Sequence, residues 1–177
     1  MADHSIAEIN SGKIRGAVKD GIHIFKGIPY GAPTEGAARF KPATKPASWS
    51  GVRDALEFGP RAFQNDNSFA LMPELLALFN AEPLPMSENC LVLNLWTPAL
   101  DGRKRPVMFW CHGGAFIAGS GSSGWYDGTN LAKKGDVVVV TINHRLGVPG
   151  FLHLGDLAGE AYASSGNVGM LDIVEAL

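Results

Sequence analysis

One stretch constrains this chain more than any other: Val137-Val-Val-Val-Thr-Ile-Asn143, seven residues without a charge, six of them β-branched. β-Branched side chains are stiff at χ1 and pack well on a pleated surface. An unbroken apolar run, rather than an alternating one, implies burial on both faces, as in an interior strand of a parallel sheet. A parallel partner requires a crossover, usually helical. The chain upstream offers both parts. Pro106-Val-Met-Phe-Trp-Cys111 is expected as a second buried strand, and Asp127–Lys134 as a short helix with an acid near its start and two lysines at its end. Strand, helix and strand make a βαβ unit, so the fold class is α/β.

The rest of the chain adds shorter pieces. Ile14–Val18 and Ile22–Ile28 are expected as strands, joined by the hairpin signal Asp20-Gly21. Prolines at 29, 33, 42, 46 and 60 exclude long helices and central strands between them, leaving an irregular segment pinned by Phe40, Trp49 and Phe58. Pro73–Phe79 is a helix candidate, and Cys90–Trp96 alternates towards a strand. At the end, Met170, Leu171, Val174 and Leu177 fall at helical spacing, with Asp172 and Glu175 expected opposite. The apolar stripe then stops without a Gly, Asn or Pro to end it.

Composition excludes several classes. At 46% hydrophobic with net charge −2, the 177 residues are too apolar and too weakly charged for intrinsic disorder. No apolar run is long enough to span a bilayer. The isoelectric point near 6.2 argues against nucleic acid as a partner, and Arg103-Lys104-Arg105 is expected as a solvated turn. Twenty-two glycines and eleven prolines signal many loops. The two cysteines, Cys90 and Cys111, both sit in apolar surroundings and are expected as buried free thiols. With no apolar leader in Met1–Asn10 and no glycosylation sequon, the expected location is cytoplasmic.

The chemistry concentrates in His112-Gly-Gly-Ala-Phe116, directly after the first expected strand of the βαβ unit. Two glycines let a backbone turn sharply and present its amides to a ligand oxygen. An HGGG-type loop at that place supplies the oxyanion hole of α/β hydrolases. Further blocks accompany it: Phe25-Lys-Gly-Ile-Pro-Tyr30, Arg39-Phe40, Trp49-Ser-Gly-Val-Arg-Asp54, Ser87–Pro98, Tyr126-Asp-Gly128, Gly135–Gly147 and Gly166-Asn-Val-Gly-Met-Leu-Asp172. In this order they resemble the N-terminal part of the type-B carboxylesterases, the family of bacterial para-nitrobenzyl esterases and cholinesterases.

The resemblance implies an α/β-hydrolase fold over residues 1–177. A small antiparallel hairpin would lead into a larger, mainly parallel sheet, with the domain incomplete at its C-terminus. It implies a serine-type carboxylic ester hydrolase acting on a small-molecule ester, with the N–H groups of Gly114 and Ala115 as oxyanion donors. Arg39 with Glu88, and Arg145 with Asp172, resemble structural ion pairs of the family. No cofactor or metal is implied, and His4, His23, His144 and His153 show no metal-ligand spacing. Some positions depart from the family: Asn89 replaces an acid, His144 a tyrosine and Ile173 a glutamine. Ala62 stands where secreted relatives carry a cysteine that pairs at the position of Cys90. Asn80 falls where cholinesterases place a choline-holding Trp, so a choline ester is not expected.

An ester hydrolase needs a nucleophile, a base and an acid that orients the base. The family carries its serine in a Gly-x-Ser-x-Gly elbow, and no such motif occurs in the 177 residues. The chain alone is therefore expected to be inactive, and either to self-associate or to need a C-terminal partner fragment. Two other classes compete. The same fold without catalysis would serve as a binding module. A dinucleotide site has a literal motif, Gly119-Ser-Gly-Ser-Ser-Gly124, and Arg145 for a 2′-phosphate. Gly119, however, lies eight positions past Cys111, and no acid closes the second strand. The Gly/Ser run is better understood as a flexible active-site loop.

Overall fold

Hydrogen bonding joins β1 (His4–Ile9), β2 (Gly12–Lys19), β3 (Ile22–Pro29), β4 (Val52–Asp54), β5 (Val92–Thr97), β6 (Val107–Cys111) and β7 (Val138–Ile142) into one mixed sheet. The computed structural model describes residues 4–65 and 84–177, so the helix expected at Pro73–Phe79 and the position of Asn80 lie outside the described residues. Strand order is β1-β2-β3-β5-β7-β6, with β4 beside β2. Four helices accompany it among the described residues: α1 (Thr129–Gly135), α2 (Gly147–Phe151), α3 (Gly155–Ala158) and α4 (Val168–Ala176).

The hairpin forms as expected: Asp20 and Gly21 both take positive φ, 53° and 79°, the twist that joins β2 to β3 through two residues. The expected mainly parallel sheet is corrected. Pairing of β1/β2, β2/β3, β3/β5 and β5/β7 is antiparallel, and only β6/β7 and β2/β4 run parallel. The two-residue turns after β1 and β2 can only reverse a strand, whereas the parallel β6/β7 pair uses the long crossover of residues 112–137. β1 itself was not expected.

β7 is the interior strand its sequence implies: Val139, Val140, Thr141 and Ile142 are all buried. One face joins Tyr30, Cys90, Leu91 and Leu146, and the other packs Val139 with Trp96, Ile22 and Ala132 of α1. Each such aliphatic side chain contributes about 1.5–3 kcal/mol. β6 differs from expectation. Val107 is 61% exposed, Met108 and Trp110 are also exposed, and so is Cys111, which is therefore no buried thiol. The apolar run correctly signals a strand. It carries no information on how many neighbours that strand has, and among the described residues β6 is paired on one side only.

Two further expectations change. In α4, Asp172 is fully buried while Val174 and Leu177 are exposed, so the face predicted as polar is the one turned inward at that position. The basic triplet is not simply solvated: Arg105 pairs with Asp101 at 2.6 Å and Asp136 at 2.7 Å, and Arg103 also reaches Asp136. Hydrogen bonding from Arg105 holds the Asp101 carboxyl well below the usual carboxylate range.

Candidate active site

Cys111 of β6 lies opposite Ile142 of β7 in the parallel ladder, so both strands release the chain at the same end of the sheet. Ligand crevices of α/β sheets form outside the carboxyl ends of their strands. Two loops meet there, residues 112–118 after β6 and residues 143–147 after β7. Gly147 donates its N–H to the Phe116 carbonyl at 2.7 Å and ties them together.

The first loop turns sharply. Gly114 has φ 119°, and a Cβ at that position would run into the Ala118 carbonyl oxygen, so only glycine fits. Ala115 and Phe116 follow at φ 53° and 61°. This left-handed backbone costs an L-residue about 1–2 kcal/mol. The turn is held by the Gly114 carbonyl, which accepts from Ile117 N at 3.0 Å and Ala118 N at 3.1 Å. Gly113, Gly114 and Ala115 donate their N–H groups to no acceptor among the described residues; Gly113 and Ala115 are exposed and Gly114 is partly exposed. Successive free amides in such a conformation form a concavity suited to an anionic oxygen.

A buried polar scaffold supports this turn and the Gly/Ser run behind it. Gln64 bonds Gly119 twice, accepting from its N–H at 2.7 Å and donating to its carbonyl at 2.9 Å. Asn143 Oδ1 accepts from Gly121 N and Ser120 Oγ, while its Nδ2 donates to the Pro60 carbonyl. Asn94 Nδ2 donates to Thr141 Oγ1 at 3.0 Å, and Thr141 in turn donates to the Gly121 carbonyl at 2.6 Å. The run expected to be flexible is thus anchored at several backbone atoms. The supporting role of Gln64, Asn94, Thr141 and Asn143 is not legible in the sequence, because their partners lie 20 or more positions away.

The dinucleotide motif loses its geometry. α1 starts at Thr129, well past Gly124, and only a single 3-10 turn (Gly124–Tyr126) begins at the glycines, so no α-helix N-terminus meets them. A Cβ on Gly121 would strike the Ile142 carbonyl, which accounts for that glycine by packing. Among the described residues no group of three or more His, Cys, Asp or Glu could hold a metal ion. No helix among them is long and apolar enough to cross a membrane.

Both ion pairs are present. Arg39 grips Glu88 through two bonds of 2.6 and 2.9 Å. Arg145 meets Asp172 through Nε at 2.8 Å and Nη2 at 2.6 Å, adds its own backbone N–H at 3.0 Å, and sends Nη1 to the Lys41 carbonyl. Burial raises the Asp172 carboxyl above its ordinary value, opposed by the guanidinium. His112 and His144 stack with centroids 4.8 Å apart and planes within 7°. Burial lowers His112 to about 4 and moves His144 in the same direction, so both rings are neutral at pH 7. Among the described residues no Ser or Asp is hydrogen-bonded to His112, whose Nδ1 meets the Gly113 carbonyl.

A left-handed glycine loop with free amides, together with the two ion pairs, invites comparison with known proteins. The family model for the carboxylesterase family matches residues 3–177. The chain belongs to the carboxylesterase family. It is 43% identical over 174 residues to the para-nitrobenzyl esterase of Bacillus subtilis, covering 98% of this chain and 34% of that protein. It is 41% identical to the phenmedipham hydrolase of Pseudarthrobacter oxydans, covering all of this chain and 34% of that one. Among solved structures, a Geobacillus stearothermophilus carboxylesterase superposes with TM-score 0.85 at 51% identity, covering 97% of this chain and 32% of the other. The chain therefore spans about a third of the length of the relatives it matches. Its sheet is the N-terminal portion of an α/β-hydrolase fold.

Proposed function

We propose that this carboxylesterase-family chain carries the oxyanion-forming part of a serine-type ester hydrolase. The observation that supports this most is the loop of Gly114 and Ala115, whose free N–H groups stand at the carboxyl end of β6. In an acyl transfer these donors would meet the carbonyl oxygen as it becomes an oxyanion, and a third amide beside the serine would complete the set. The serine, its base and its acid come from segments outside the 177 residues, which contain no Gly-x-Ser-x-Gly. The substrate is a small-molecule carboxylic ester, a class supported by the names of relatives, a para-nitrobenzyl esterase and a carboxylesterase. Ala62 and Cys90 share one core cluster and Cys90 is free, which favours a reducing, cytoplasmic setting.

The chain alone is expected to be inactive: without a triad, only about 10³–10⁴ of rate enhancement survives in comparable enzymes. The test is a chimera in which residues 3–177 replace the matching third of the Bacillus subtilis para-nitrobenzyl esterase. The chimera should hydrolyse p-nitrophenyl acetate, and the isolated chain should not. A folded chimera without turnover would favour the binding-module reading, and burst kinetics from the isolated chain would remove the need for an outside nucleophile.

A further inference from the structure

His144 touches the oxyanion loop at both ends. Its ring stacks face to face on His112, which opens the loop, and lies against Phe116, which closes the turn, at a centroid distance of 6.2 Å. Between those contacts lie Gly113, Gly114 and Ala115. The Gly119 backbone also comes close to the His112 ring: a Cβ on Gly119 would collide with His112 Nδ1, so there is no room for a side chain at that point. His144 is itself enclosed. It is buried, its Nδ1 lies 3.1 Å from the Arg145 carbonyl, and its neighbours Asn143 and Arg145 are the most heavily hydrogen-bonded residues of that loop.

A carbonyl oxygen only accepts, so the 2.9 Å contact between His112 Nδ1 and the Gly113 oxygen places the proton on Nδ1. That oxygen belongs to the same planar unit as the Gly114 N–H, and in a trans peptide the two point in opposite directions. Holding the Gly113 oxygen therefore aims the Gly114 N–H. We propose that His144 is a positioning residue: it is the flat platform that keeps the His112 ring in place, so that the His112–Gly113 hydrogen bond sets the direction of the Gly114 donor. The role in catalysis rests on the oxyanion reading above; the mechanical coupling from His144 to the Gly114 peptide does not. Two stacked imidazoles cannot both be cations at little cost, and the burial that keeps both neutral agrees with this arrangement.

The experiment uses the 177-residue chain, labelled with ¹⁵N, at pH 7. His112 Nδ1–H should give a solvent-protected imidazole signal. His144→Ala should speed exchange of that proton at least tenfold and shift the Gly114 amide resonance, whereas His144→Phe, which keeps a flat ring, should leave both near wild type. If His144→Ala does not fold, His144→Leu takes its place, since it fills the space without offering a flat face. A folded His144→Ala or His144→Leu with an unchanged His112 signal and Gly114 amide would overturn the proposal. In the chimera, His144→Ala should lower kcat tenfold or more with KM nearly constant, and His144→Phe should recover it. An inactive parent chimera would defeat the ester-hydrolase reading and leave the spectroscopic result to decide the platform role. An active chimera whose kcat ignores His144→Ala would defeat the platform role and leave the ester-hydrolase reading standing.

Discussion

Replacing Arg145 by Met removes the cation from a pair that no solvent can reach: the Arg145 side chain is 3% exposed and that of Asp172 not at all. Asp172 would keep one bond, from the Arg145 backbone N–H at 3.0 Å, and lose two from the guanidinium. The Lys41 carbonyl would lose its donor as well. Removing one partner of a buried pair costs about 3–5 kcal/mol, because the other charge stays behind without compensation. Against a total stability of about 5–15 kcal/mol, that is a large share. With a urea slope of about 2 kcal/mol per molar, the midpoint should fall by about 2 M. The double variant Arg145→Met/Asp172→Asn keeps an acceptor for the backbone N–H and leaves no charge, so it should recover most of the loss. Urea melts followed by circular dichroism give the full cycle. A double variant no more stable than Arg145→Met would refute the claim that the stranded charge dominates.

Three further outcomes follow from the same geometry. Gly114→Ala forces a Cβ against the Ala118 carbonyl at φ 119°, and in the chimera it should cost at least tenfold in kcat while the fold survives, as seen by an unchanged far-ultraviolet spectrum. His112 is held at about 4 when folded and returns to 6.5 when unfolded, so the unfolded chain binds more protons between those values. Stability should be complete above pH 6.5 and fall as the pH drops towards 4, by up to about 3 kcal/mol, and the decline should shrink in His112→Asn. The unpaired side of β6, with Val107, Met108 and Trp110 exposed, should make the isolated chain associate with rising concentration. Met108→Lys should reduce this on size-exclusion chromatography, and a wild type that stays monomeric at all concentrations would contradict it.

The elements that sequence discloses are those whose cause is local. The β-branched run of β7 marks a buried strand, Asp20-Gly21 marks a tight hairpin, and paired glycines mark the turn at 113–114, because each effect arises within a few residues. What stays hidden is set at long range. Asp172 looks like a solvated helix position, since the arginine that permits its burial lies 27 residues earlier. β6 looks like an interior strand, since an apolar pattern does not count neighbours. Gln64, Asn94 and Asn143 look like ordinary polar loop or strand residues, and only their distant partners turn them into a scaffold for the Gly/Ser run. The identity of the family came from the order of many blocks, which a single motif could not supply.

The claim that the Ala115 N–H serves a developing oxyanion is tested most directly by deleting that hydrogen-bond donor while keeping the side chain, with folding checked because the Gly114 carbonyl, acceptor for Ile117 and Ala118, is weakened with it. A proline would delete it but requires φ near −65°, whereas Ala115 stands at 53°, so it would rebuild the loop. Lactic acid introduced at position 115 of the chimera swaps the amide for an ester and keeps the side chain. Loss of one such donor costs about 2.7–4 kcal/mol in a comparable enzyme, so kcat should fall about 10²–10³-fold with KM nearly unchanged. A folded ester variant that retains the parent kcat would remove Ala115 from the site.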